Sequence, residues 1–200
     1  MRPGVRLLDA QAGRDQNRRP HYAVVGGAGP KMKRRQVLQQ SVWLAPWAGA
    51  GALGAAPAER GQSVAWPDVA LLDGSRFGPA QAKGQVVVVV FWSTTCPFCK
   101  RHNQHVEKLH RSAAGQALKV LGVARERDAA AVRRYAAQQG YSFPVTLESE
   151  PLAAAISARK VIPLTAVVDR RGLLQQVYPG EMFEEDLMEF LQLAKAAPRA

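Results

Sequence analysis

The sequence predicts an α/β fold in which helices cover both faces of a mixed central sheet. Residues 86–91 read VVVVVF, an unbroken apolar run that is typical of a strand buried on both faces. Helical patterns alternate with short apolar runs over residues 62–200, which favours a layered arrangement around one sheet. Two runs at 164–168 and 173–178 flank a polar turn ending in Gly172, so we expect an antiparallel hairpin within that sheet.

Turn and cap signals set the element boundaries. Asp73 and Gly74 indicate the turn of a short N-terminal hairpin. Pro97 suits the first turn of a helix that begins at Cys96, because the missing N–H would have no helical partner. We expect Asp128 to cap the following helix and Gly140 to end it. The full prediction, in chain order, is strand 86–91, helix 96–113, strand 119–123, helix 128–139, strand 143–147, helix 149–159, strands 164–168 and 173–178, and helix 184–196.

The formal net charge of +11 is unevenly distributed along the chain. Residues 1–58 hold nine basic and two acidic side chains, whereas residues 59–200 hold eighteen and fourteen. The small excess of basic residues in 59–200 is that of an ordinary solvated surface, so we predict no nucleic-acid partner. We interpret the charged clusters at 125–127 and 133–134 as solvated surface as well.

The basic N-terminal region has the order of an export signal. A basic cluster at 33–35 precedes an Ala- and Gly-rich apolar run and then the small residues of 56–58. The pair Arg34-Arg35 also resembles a twin-arginine signal. We therefore predict a signal peptide at 32–58, cleavage near Ala58 and a periplasmic location.

An uncleaved membrane anchor is the alternative interpretation of this segment. The apolar run is slightly short for a span of roughly 20 residues, and Pro46 interrupts it. Residues 1–31 show no periodicity, and we interpret them as a non-native or disordered extension ahead of Met32. Residues 59–200 then form the folded domain.

The two cysteines of the chain, Cys96 and Cys99, lie at the start of the predicted helix. The positive end of the helix dipole and the free N–H groups there favour a thiolate at Cys96 and lower its pKa. Cys99 follows one turn later on an inward face with His102, Val106 and Leu109. An exposed, activated thiol beside a shielded one suits attack on a disulfide by Cys96 and resolution by Cys99.

Two segments resemble one known family. FWSTTCPFCK at 91–100 and VIPLTAVVDRRG at 161–172 are similar to the exported thiol–disulfide oxidoreductases of the TlpA/ResA type, within the thioredoxin superfamily. Residues 121–145 resemble the additional β–α insertion of that family. The resemblance covers roughly 64–197. It implies a thioredoxin-like fold with the insertion for the domain 59–200, and a protein-disulfide reductase activity.

The resemblance also implies roles for particular residues and partners. Pro163 would be cis and lie beside the disulfide, and the backbone of Ile162 would pair with a substrate strand. His102 stands where many relatives carry Glu, which makes it the candidate proton acceptor for Cys99. The implied partners are disulfide-containing exported proteins such as apocytochromes and a membrane thiol transporter as electron donor. We expect a monomer that needs no cofactor.

Two alternatives remain open at the level of the sequence. The same fold could run in the opposite direction, as a DsbA-like oxidase or isomerase. Alternatively, Cys96, Cys99, His102 and His105 form the spacing C-x2-C-x2-H-x2-H, which offers four zinc or copper ligands. A helix starting at Cys96 would turn His105 away from Cys96, and the neighbouring basic residues oppose a cation. We therefore predict no metal site.

Overall fold

The computed structural model describes residues 56–196. Their secondary structure follows the predicted alternation of strands and helices. The elements are β1 (Val69–Ala70), β2 (Arg76–Phe77), α1 (Pro79–Ala82), β3 (Val86–Trp92), α2 (Pro97–Ser112), β4 (Leu118–Ala124), α3 (Ala129–Gln139), β5 (Val145–Thr146), α4 (Ser149–Ile156), β6 (Leu164–Val168), β7 (Leu174–Pro179), α5 (Glu184–Met188) and α6 (Phe190–Lys195).

A five-stranded mixed sheet forms the centre, in the order β5-β4-β3-β6-β7. Strands β3, β4 and β5 are parallel, while β6 is antiparallel to β3 and β7 is antiparallel to β6. Strands β1 and β2 form a separate antiparallel hairpin. The predicted mixed sheet, its C-terminal hairpin and the N-terminal hairpin are therefore all confirmed.

Strand β3 lies in the middle of the sheet and is buried along its whole length. Because side chains alternate along a strand, its residues divide between two core layers. The first layer, which includes inward residues of α2, α3, α5 and α6, receives Val86, Val88, Val90 and Trp92. The second, with α4 and the N-terminal hairpin, receives Val87, Val89 and Phe91. Helices thus cover both faces, as the valine run predicts.

The segment between β4 and α4 is the predicted β–α insertion. Asp128 caps α3 by accepting hydrogen bonds from the N–H groups of Ala130 and Ala131. Gly140 ends α3 with a φ of +71°, a left-handed conformation that favours glycine. Gly122 in β4 lies so close to the Phe143 ring that a Cβ atom there would come within 2.7 Å of it.

Three boundaries differ from the sequence-based prediction. Strand β5 is limited to Val145–Thr146, because Pro144 has no N–H to extend the ladder. Helix α4 ends at Ile156, since Ser157 adopts an extended backbone. The closing helix is divided into α5 and α6 at Glu189, although its backbone stays right-handed and helical (φ −59°, ψ −27°). Among residues 56–196, no helix is both long and apolar enough to span a membrane.

Candidate active site

The two cysteines lie where β3 ends and α2 begins, and a disulfide joins them with 5.2 Å between their Cα atoms. Cys96 is the N-cap of α2, and its Sγ accepts a hydrogen bond of 3.1 Å from the N–H of Cys99. Cys96 is half-buried, whereas Cys99 has no exposed surface. An incoming thiol or disulfide can therefore approach the Cys96 sulfur while the Cys99 sulfur stays shielded.

The strand register places Ile162 and Pro163 at the same end of the sheet as the disulfide. Leu164 opens β6 and pairs with Phe91 near the end of β3, so the residues before Leu164 lie beside the turn that leads to Cys96. The Ile162–Pro163 peptide bond is cis. Within residues 56–196, neither the N–H nor the carbonyl of Ile162 forms a hydrogen bond. A free backbone edge is thus available at the end of the sheet where the redox pair lies.

Exposed apolar side chains flank the disulfide. Phe98, between the cysteines, is 55% exposed, and Val161, just before Ile162, is 43% exposed. The Arg101 guanidinium lies 5.0 Å above the Phe98 ring centroid and pairs with Glu181 at 2.7 Å. Phe98 and Val161 are therefore apolar surface that a polypeptide substrate can contact.

His102 is fully buried below the cysteines, and both of its ring nitrogens are engaged. Nδ1 accepts a hydrogen bond of 3.1 Å from the Met182 N–H. Because an N–H can only donate, the neutral ring carries its proton on Nε2 and donates it to Thr165 Oγ1 at 2.9 Å. Burial lowers the pKa of His102 from 6.5 to about 4, although the charge of Glu181 opposes this.

This geometry disfavours the hypothesis that His102 accepts the proton of Cys99. The lone pair of the neutral ring is already bonded to Met182, so protonation would require that bond to break. The low pKa of the ring points the same way. Its hydrogen bonds instead tie helix α2 to strand β6 and to the loop that precedes α5.

The four potential metal ligands of the C-x2-C-x2-H-x2-H spacing have different partners. The cysteines bond each other, His102 contacts Thr165, and His105 lies 3.5 Å from Glu184. In the described part of the chain, no group of three or more His, Cys, Asp or Glu side chains is placed to hold a metal ion.

Two residues of this site were not predicted from the sequence. Arg125 and Glu126, interpreted above as solvated charge, follow β4 directly and contact the two loops that flank the disulfide. Their position in the sequence could have indicated this, because polar residues just after a parallel strand lie at the sheet edge where Cys96 also lies. The exposed Arg127 fits the original interpretation.

The chain is similar to a known protein family and to known relatives. Residues 59–192, about two thirds of the chain, match the family model described as Redoxin. The chain is 27% identical over 124 residues to a protein of Halalkalibacterium halodurans named thiol-disulfide oxidoreductase ResA, a match covering 62% of this chain and 70% of that protein.

Solved structures share the fold. A thiol:disulfide interchange protein of the thioredoxin family from Chlorobium tepidum is similar at a TM-score of 0.63 and 23% identity, covering 69% of this chain and 99% of that one. A secreted thiol-disulfide isomerase from Corynebacterium glutamicum is similar at a TM-score of 0.61 and 20% identity, covering 66% and 86%. The thioredoxin-like fold expected from the resemblance is therefore confirmed.

Proposed function

The chain belongs to the Redoxin family and is a thiol–disulfide oxidoreductase with a Cys96–Cys99 pair, and from that premise we propose that it reduces disulfides of exported proteins. One observation carries the proposal: the two sulfurs are unequal. Cys96 is accessible and caps a helix N-terminus, whereas Cys99 is fully buried behind it. Because the two sulfurs differ in accessibility, Cys96 can attack the substrate while Cys99 releases the product.

The reaction proceeds in two exchanges. The Cys96 thiolate attacks one sulfur of the substrate disulfide, which forms a mixed disulfide and expels the other substrate sulfur as a thiolate. Cys99, as a thiolate, then attacks the Cys96 sulfur and expels the second substrate sulfur. The substrate gains two electrons and, from the two protein thiols by way of solvent, two protons. The protein keeps the Cys96–Cys99 disulfide.

The free backbone edge of Ile162 positions the substrate in this proposal. An extended peptide that pairs with it gains main-chain hydrogen bonds that do not depend on its sequence. Phe98 and Val161 add apolar contacts on either side. Such recognition suits an enzyme whose substrates share a disulfide rather than a sequence.

We also propose that the protein works in the periplasm and receives its electrons from a membrane thiol transporter. The support is the export pattern at 32–58, which lies outside the residues that the structure describes apart from 56–58. A reductase in an oxidising compartment needs an outside source of electrons, because each turnover leaves it as the disulfide.

Trapping of the mixed disulfide tests the assigned roles. Reduced Cys99→Ser, mixed with a disulfide-containing protein such as insulin, should accumulate a covalent complex through Cys96, because no second thiol resolves it. The matched variant Cys96→Ser should trap far less, since Cys99 is buried. Equal trapping by the two variants, or trapping through Cys99 alone, would contradict the assignment.

A further inference from the structure

We propose that Arg125 and Glu126 are positioning residues that together hold the two loops on either side of the disulfide. The proposal rests on the proposed function, because these two residues would fix the position of the nucleophile relative to the substrate-binding edge of that site. Neither residue touches the reacting sulfurs in this account. They act through the loop before Cys96 and the loop before Pro163.

Glu126 holds the loop before Cys96. Its Oε1 accepts hydrogen bonds from Ser93 Oγ at 2.7 Å, from the Thr94 N–H at 2.6 Å and from Thr94 Oγ1 at 3.0 Å. The Ser93 carbonyl in turn accepts a hydrogen bond of 3.3 Å from the N–H of Cys96. The position of Cys96 at the start of α2 therefore depends on a turn that Glu126 secures.

Arg125 holds the loop before Pro163. Its guanidinium donates to two consecutive carbonyls, that of Arg159 at 2.9 Å and that of Lys160 at 2.5 Å. The same group lies 5.6 Å from the ring centroid of Phe91, and the Arg125 N–H donates to the Trp92 carbonyl. The planar fork of arginine suits two adjacent carbonyls in a way that a lysine ammonium does not.

Burial distinguishes this pair from surface charge. Both side chains are half-buried, and the Glu126 Oε2 is buried without a hydrogen-bond partner among residues 56–196. Burying a charged side chain costs free energy unless hydrogen bonds compensate for the lost water. The half-buried Arg125 and Glu126 therefore differ from charges on a solvated surface. Because the two residues are adjacent at the end of β4, one rigid strand sets the spacing between the two loops.

Single-turnover kinetics of the pre-reduced protein test the proposal, with insulin as the protein disulfide and an aromatic disulfide such as DTNB as a small one. The loss of hydrogen bonds to a charged group changes a binding or rate constant by about tenfold or more. Arg125→Ala should raise about tenfold the insulin concentration that gives half of the maximal single-turnover rate, while the rate with DTNB changes much less. Glu126→Ala should slow both reactions and shift the pH profile of the DTNB reaction, because it disturbs Cys96 itself.

Conservative variants and a neighbour provide the controls. Glu126→Gln keeps an acceptor oxygen and should restore most of the activity. Arg125→Lys should restore only part of it. The exposed Arg127→Ala should match the wild type with both substrates.

If Arg125→Ala and Glu126→Ala match Arg127→Ala with both substrates, the proposal is wrong. It is equally wrong if Arg125→Ala slows insulin and DTNB to the same extent, since that pattern means a general defect. A wild type that reduces DTNB but not insulin would instead refute the proposed function.

Discussion

The buried, neutral His102 should make the stability of the protein depend on pH in a predictable window. Burial lowers the pKa of this ring from 6.5 to about 4, so the unfolded chain binds a proton between those values and the folded chain does not. Lowering the pH through this window therefore favours the unfolded state. The contribution of the neutral His102 to the free energy of unfolding is fully present above pH 6.5 and is lost as the pH falls to about 4.

The magnitude follows from the difference between the two pKa values. One pKa unit corresponds to ~1.4 kcal/mol, so a fall from 6.5 to about 4 amounts to about 3 kcal/mol of unfolding free energy. A typical domain is stable by only ~5–15 kcal/mol, so this loss is a large fraction of the total.

Guanidinium unfolding of the oxidised protein at a series of pH values between 7.5 and 4 measures the effect. His102→Asn is the reference variant, because its Oδ1 can accept the Met182 N–H while the side chain does not titrate. The wild type should lose about 3 kcal/mol more than the variant across this range, since other titrating groups act in both proteins. Parallel stability curves for the two proteins would refute the reasoning.

Three further predictions concern the framework of the site. Glu107 accepts hydrogen bonds from the Ser142 N–H, the Ser142 hydroxyl and the Arg111 guanidinium. Burial raises its pKa, but these bonds outweigh burial and leave the pKa below 4.5, so Glu107→Ala should cost ~3 kcal/mol at pH 7. That difference should shrink as the pH falls below 4.5, which unfolding curves at two pH values would show; a difference independent of pH would contradict it. Gly122→Ala should cost ~1–3 kcal/mol, because the added Cβ meets the Phe143 ring, and an unchanged thermal midpoint would count against this packing argument. Asp128→Ala should lower the unfolding free energy by ~1 kcal/mol and Asp128→Asn much less, so an equal loss in both would disprove the capping role.

Periodicity and helix caps were enough to predict most of the fold. The valine run is buried on both faces because the sheet has helices on each side, and Cys99, Val106 and Leu109 form the buried face of α2 that their spacing predicts. Capping chemistry is local, and Asp128 caps α3 as predicted. The helix cap depends on residues close in sequence, and the buried strand and helix face follow from the regular spacing of apolar residues.

The features that the sequence did not predict depend on contacts between distant segments. His102 forms its hydrogen bonds with Thr165 and Met182, more than sixty residues further along the chain. Arg125 reaches the carbonyls of Arg159 and Lys160, more than thirty residues further along the chain. Their place after β4 puts Arg125 and Glu126 at the edge of the sheet, but it does not indicate which distant groups they bond.

The reduction potential of the Cys96–Cys99 couple tests the central proposal most directly. The purified protein would be equilibrated in glutathione or dithiothreitol redox buffers, and its reduced fraction counted by thiol alkylation. We predict a value near that of thioredoxin, about −270 mV, at which the reduced form gives its electrons to substrate disulfides. A value near about −120 mV would mean that the reduced form is the stable one, and the protein would then be an oxidant of exported chains.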